Sequence, residues 1–564
     1  MRRFAKALLF IFISLSIIRL ASCGEKNAGP SKELINEINL KRGDVIACGP
    51  ADKAFGSVNF EMTCDAKAKK DFNLAVELLH SFEYDEAEKV FAKVIDETPD
   101  CAMAYWGVAM SNFHALWTQP TEAELKKGGK AIEAGNSVTK KTARESAYIN
   151  AIASFYKDWD KTDHRTRCIN YEKAMEQLHR NYPDDKEAAI FYALALDASA
   201  DPYDKTYTNQ KKAAGILNKL YPDEPDHPGI IHYIIHTYDY PGLAQLALPA
   251  ARKYATIAPS SAHALHMPSH IFTRLGLWDE CIKSNLVSVS SAQCYAEQAG
   301  IKGHWDEELH GLDYLVYAYL QKGENKLAKE QLDYLRSIKE VSPTNFKVAY
   351  AYAAIPSRFL LENRNWKEAA TLQLLPANLH WEKFPWQESI VHFTRLIGAV
   401  HLGKIKDANT ELVKMKELHD TLEKQKDIYK SKQVAIQIKT GEAWIELAAG
   451  HKAGAFDMMK LATAMEDSTE KHPVTPGEVL PAKELLGDML IQLQQYENAL
   501  LAYEGVMQRS PNRFNSLYGA ALAAKKSGNN GKAISYYKQL LAITDSERSN
   551  RPELTEASSF VMKK

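Results

Sequence analysis

From about Lys67 onward, apolar residues recur at intervals of three and four, the spacing that gathers side chains on one face of a helix. Nowhere does the chain sustain the strict alternation of apolar and polar positions that a half-buried strand needs. Short turns built on Gly, Asn or Pro interrupt the pattern roughly every 15 to 25 residues. The pattern predicts helical hairpins in series and an all-α chain.

The hairpins repeat. In LGDMLIQLQQYENALLAYEGVMQRSP, Gly487, Ala499, Tyr503 and Pro511 set a small, Ala, aromatic and Pro spacing, and Ala521, Ala533 and Tyr537 repeat its first three positions 34 residues later. Ala75, Ala87, Phe91 and Pro99 match the same template, as do Ala443, Ala455 and Ala462. This register resembles the tetratricopeptide repeat, which implies an α-solenoid: a right-handed superhelix whose first helices line a concave groove. Small residues let the two helices of a hairpin approach closely, and the aromatic fills the gap to the next hairpin. Between about 130 and 430 the units are longer and less regular, and ten to twelve hairpins are expected in all.

The N-terminus reads differently. Arg2, Arg3 and Lys6 precede an apolar run from Ala7 to Ile18, too short to span a bilayer and laid out as a secretory signal. Leu20, Ala21, Ser22 and Cys23 resemble a bacterial lipobox, although Arg19 departs from the usual pattern. The resemblance implies acylation of Cys23 and a membrane lipoprotein, with Gly24 favouring the outer membrane or its periplasmic face; the alternative is a plain signal in which Cys23 is incidental. The expected organisation is a signal peptide over 1–22, an acylated Cys with a tether and disulfide segment over 23–66, the solenoid over 67–545, and a flexible tail over 546–564.

Export permits disulfides. Cys48 and Cys64, which flank a Gly- and Pro-containing segment, are the expected pair, whereas Cys101, Cys168, Cys281 and Cys294 sit in helical, mostly apolar contexts that suit buried thiols. Lys and Arg total 70 against 71 Asp and Glu. So even a balance favours no nucleic-acid partner.

Histidines are concentrated instead. Of 18 in the chain, His227, His232, His236, His263, His266, His270, His304 and His310 fall within one window of the solenoid, whose His-rich centre spans 227–317. His232 with His236 and His266 with His270 are four-residue pairs on one helix face. With Cys281 in the Ala slot of the repeat, His263, His266 and His270 take groove positions; aligning Ala328 places His310, Asp313 and Tyr317 likewise. Aligning Ala244 places His236 in the groove but His232 one residue out of register, and aligning Ala87 sends His114 to the groove end of the next helix. Converging neutral imidazoles suit zinc or copper, with Asp239, Glu307 or Asp313 as oxygen donors or partners behind the ligands. No Glu follows the first His of either pair, so the HExxH arrangement is absent. Two other readings stay open: histidines that cap turns where Pro228, Pro241 and Pro268 interrupt helices, and a polar, aromatic-lined pocket for a carboxylate or peptide end.

The strings HPGIIHYIIHTYDYPGLA and HALHMPSHIFTRLGLWDECIKSN, with CAMAYWGVAMSNFHALW upstream, resemble a bacterial group of large exported tetratricopeptide proteins with no agreed activity. The resemblance implies fold and envelope context alone. Phosphate-binding loops, dinucleotide fingerprints, nucleophile elbows, CxxC pairs and EF-hands are absent. Two functions follow: a membrane-anchored scaffold binding a protein, peptide or small ligand in the groove, or a metal-dependent hydrolase or oxidoreductase using the histidines.

Overall fold

The computed structural model describes residues 29–50, 54–116, 119–545 and 548–563. The expected signal peptide and Cys23 lie outside the described residues. From Ala68 to Ile543 the described residues fold as twelve helical hairpins packed in sequence order, counting Ala262–His266 and Pro268–Leu275 as one broken helix. The fold is an all-α solenoid of tetratricopeptide-like hairpins. The extended backbone pairs only at His304–Trp305 and Val341–Ser342, among the described residues.

The repeat template acts as its spacing predicts. The Tyr503 ring is wedged between Gly487 and Gly519, where an added Cβ would lie 2.6 and 2.3 Å from it. Phe91 is seated against Gly107 in the same way, at 2.3 Å. The apolar residues of successive hairpins form four core clusters along the array, the first burying Phe72, Trp106 and Tyr254 and the second Leu315.

Three expectations at the ends of the array need correction. Where a tether was expected, the described residues pack onto the first hairpins. Helix Lys32–Ile38 buries Ile38, and Phe60 enters an aromatic cluster 5.3 Å from Phe72, 5.4 Å from Trp106 and 5.3 Å from Tyr148. Carboxylates of the repeats take up this segment's backbone donors: Lys41 N–H donates to Glu88 at 2.8 Å and Thr63 N–H to Glu145 at 2.7 Å. Secondly, Cys48 and Cys64 do not bond each other. Cys48 is joined to Cys294 and Cys64 to Cys101. The extended run between them, nailed down at Phe60, carries the two thiols to different hairpins. Cys168 and Cys281 remain buried free thiols, as their contexts predict, whereas Cys101 and Cys294, expected to be thiols as well, are the two disulfide partners. Thirdly, the supposed flexible tail holds helix Pro552–Met562, which buries Leu554 and Ala557 against the last hairpin and closes the stack.

In the middle, proline shapes the array. Pro249 and Pro356 lie inside helices, and Pro268 divides a third. Here the C-terminal hairpins fold back onto the first helices. Trp278 Nε1–H donates to the Asn512 carbonyl at 2.8 Å, and fully buried Arg513 joins Glu362, Glu484 and the Tyr317 hydroxyl at 2.6 to 3.0 Å. The chain's own segments therefore fill the groove beside the histidines. No described helix is long and apolar enough to cross a membrane.

Candidate metal centre

The first helices of three successive hairpins carry the histidines inward. Helix Pro228–Thr237 starts on the rigid φ of Pro228 with His227 as N-cap, and sets His232 above His236 one turn later. Ser261 caps Ala262–His266; Pro268 then removes one backbone donor and breaks the helix between His266 and His270. Helix Asp306–Gln321 supplies His310. Gly229 permits the approach of the first of these helices to His80, since a Cβ there would lie 2.4 Å from the His80 ring.

Two triads result. His232, His236 and His263 form one and His266, His270 and His310 the other, with one ring nitrogen of each residue in a triad within 4.8 Å of the others. The broken helix divides its histidines between them. The triads adjoin, with the His236 and His270 rings 6.5 Å apart. In the first, His232 Nε2 lies 3.0 Å from His236 Nε2 and 3.2 Å from His263 Nε2; in the second, His266 Nε2 lies 3.1 Å from His270 Nε2. All six side chains are buried in the interior, not displayed on an open groove wall.

The outward nitrogens decide the protonation. His232 Nδ1 lies 2.6 Å from the His80 carbonyl oxygen, which can only accept, so the proton sits on Nδ1. Asn285 donates its amide to the Cys281 carbonyl at 2.8 Å and turns Oδ1 to His266 Nδ1 at 2.6 Å, which must donate. His270 Nδ1 donates to the Asp239 carboxylate at 3.1 Å. Hence in the neutral rings His266 Nε2 and His270 Nε2 confront each other with lone pairs, and His232 Nε2 faces its two neighbours as an acceptor.

Burial holds all six imidazoles neutral. It lowers His232 to about 3, drives His236, His263, His266 and His310 well below the ordinary value, and lowers His270 despite the opposing pull of Asp239. Burial would raise Asp239 as well. Lys471, at 2.8 Å, and Arg274, also at 2.8 Å, outweigh it and hold the carboxylate well below its usual range. Asp239 is thus the partner that orients His270, not a member of a triad. Tyr314 adds a hydroxyl 3.4 Å from His270 Nε2.

Other expected residues lie elsewhere. His114 bonds Glu124 at 3.1 Å and lines a cleft that also reaches Glu307 and, at its inner wall, His263 of the first triad; Asp313 is tied to Arg358, and Glu307 to Lys347. His304 bonds Glu308 at 2.8 Å. His232, one residue out of the groove register, is nevertheless a full member of its triad. The sequence pattern missed His80, Asn285, Arg274 and Lys471, whose partners lie up to 232 residues away and leave no local signal.

A third group, His80, Glu187 and His227, shows what a satisfied cluster looks like. His227 Nδ1 accepts from the Ile230 N–H at 3.4 Å, so its Nε2–H donates to Glu187 at 2.9 Å. His80 bonds Glu187 at 3.0 Å and the Tyr233 hydroxyl at 2.9 Å. Every donor there meets an acceptor.

Fold and site together define a class: an all-α repeat solenoid with a histidine-rich interior. No family model matches the chain, and no curated protein matches it. Solved structures similar to it are TPR-like helical repeat proteins. They include a human IFIT1 dimer with m7Gppp-AAAA, at 12% identity over 86% of this chain and 96% of that chain, TM-score 0.35. The APC/C hetero-tetramer Cut9–Hcn1 covers 88% and 96% at 14% identity, TM-score 0.26. Naa15/Naa10 bound to HypK-THB covers 88% and 73% at 11% identity, TM-score 0.24. Likeness at these scores carries no argument about function.

Proposed function

We propose that this chain is a metal-dependent protein whose two histidine triads bind transition-metal ions, copper or zinc, and support hydrolytic or oxidative chemistry on a small molecule. The facing lone pairs of His266 and His270 carry this reading. Two unprotonated nitrogens 3.1 Å apart repel unless a cation lies between them. A tetrahedral ion bound at about 2.05 Å sets its ligand nitrogens about 3.3 Å apart, and a slightly narrower angle reproduces the separations of 3.0 to 3.2 Å found in both triads. His80, Asn285 and Asp239 behind the rings are the partners that fix ligand tautomers at metal sites. An all-imidazole set without a carboxylate suits copper and zinc better than magnesium or calcium.

Metal bound there would supply Lewis acidity or electron transfer. The protein's share is to orient six rings, keep them neutral and exclude bulk water. The scaffold reading draws on the repeat architecture, but at the histidines the groove is filled by the chain itself.

Chelator-stripped protein titrated with Cu(I) or Zn(II) against a chromophoric competitor tests the proposal. Wild type is expected to bind tightly and His266→Ala/His270→Ala to lose at least one ion per chain; equal uptake by both would remove these ligands from consideration. We further read the protein as exported and lipid-anchored through Cys23, supported by the two disulfides, which persist in oxidising compartments. Cys23→Ser is expected to release it from the membrane fraction, and continued tight association would refute the anchor.

A further inference from the structure

Beside the first triad lies a cavity of about 240 Å³ whose wall includes His236 and Asp239. Two distant stretches build its other sides: the turn carrying Tyr203 and Tyr207, and the loop carrying Glu470 and Lys471. Lys205 ties these together through Glu470 at 2.7 Å. The lining is aromatic, from Tyr203, Tyr207, Tyr240 and Tyr429, and the rings of Tyr207 and Tyr240 lie 4.6 Å apart.

Asp197 stands apart in this wall. Its carboxylate makes no hydrogen bond or ion pair among the described residues, although it is only partly exposed and Asp239 lies near enough to raise its proton affinity further. Burial pushes it up to about 7, with the Asp239 charge second. Neighbouring buried carboxylates behave otherwise: Asp239 holds three partners, and Glu187 two. Asp197 lines the cavity, where an incoming group can reach its carboxylate.

We propose that this cavity binds a single-ring aromatic molecule bearing a hydroxyl, the ring lying among the tyrosines and the hydroxyl donating to Asp197. The volume admits one ring with a short substituent and little more. Lys205, Arg274, Lys432 and Lys471 in the wall balance Asp201, Asp204, Asp239 and Glu470, so beside Asp197 there is no excess of negative charge to draw an ammonium, and the donor is a neutral hydroxyl. His236 in the wall brings the bound molecule beside the first triad. As the substrate site of the metal centre, this inference rests on the metal reading; as a binding site it does not.

Phenol and anisole, in which a methyl replaces the donor hydrogen, test it by ligand-observed NMR titration of metal-stripped, full-length protein. Wild type is expected to bind phenol at least about tenfold more tightly than anisole, a difference of about 1.4 kcal/mol. In Asp197→Leu, which removes the acceptor and keeps the bulk, the preference should vanish while metal content on reloading stays as in wild type. Equal affinity of wild type for both molecules, absence of phenol binding, or a preference that survives in Asp197→Leu would overturn the inference. The wild-type comparison decides even if the variant fails to fold. Phenol preference in a protein that takes up no metal would sink the metal reading and leave this one standing.

Discussion

At the residue scale, the character of the site depends on which ring nitrogen holds each proton. A carbonyl, an amide oxygen and a carboxylate, each only able to accept, lock the Nδ1 protons of His232, His266 and His270 and leave the Nε2 lone pairs pointing inward. Burial then keeps the rings neutral, with a consequence for stability. The folded chain binds these protons more weakly than the unfolded chain, whose histidines titrate near 6.5. Below that pH the unfolded state takes up protons first, so the stabilisation is present above pH 6.5 and is lost as pH falls toward the folded value, about 3 for His232. The slope is about 1.4 kcal/mol per pH unit per histidine, so His232 alone removes about 2 kcal/mol between pH 6.5 and 5. Thermal melts of metal-free protein should show the midpoint falling steeply over that interval; a flat midpoint would mean the rings are already charged in the folded state. The i,i+4 pairs were visible in the sequence because helical spacing is local. Asp239 was visible as a carboxylate near the pairs but not as a partner of Arg274 and Lys471. Asn285 and the His80 carbonyl gave no signal, because polar groups brought in by other helices carry no mark of their destination.

At the scale of the element, small residues and prolines do most of the placing. Tyr503 packs between Gly487 and Gly519, and the repeat register depends on that wedge. Gly519→Ala puts a methyl 2.3 Å from the ring and is expected to destabilise the C-terminal hairpins by about 1 to 3 kcal/mol, read by urea unfolding, with metal uptake retained. No change in the transition would show that the ring moves aside freely. The template was legible because one hairpin dictates its own small and aromatic positions. The break at Pro268 was legible as an interruption, but not its setting, between His266 and His270 of one triad, with His263 on the preceding segment turned to the other. Helix Pro552–Met562 was hidden by the polar residues before and within it: Leu554 and Ala557 are buried, and Phe560 and Val561 pack partly against the last hairpin.

At the scale of the molecule, the solenoid closes on itself, and that closure converts a groove into an interior. Lys471 reaches Asp239, Arg513 reaches Tyr317, and Cys48 is bonded to Cys294, each across more than half the array or a large part of it. None of these long-range contacts follows from repeat spacing, which describes neighbours only. The expected Cys48 and Cys64 pairing failed for the same reason, since nearness in sequence stood in for nearness in space. Closure also explains why the six histidines are buried in a polar-lined interior. Elemental analysis of purified protein, with metal counted per chain, tests this account most directly. Two copper or zinc ions per chain are predicted, falling to one or none in His266→Ala/His270→Ala. A protein that holds no transition metal after reconstitution, while remaining folded, would contradict it.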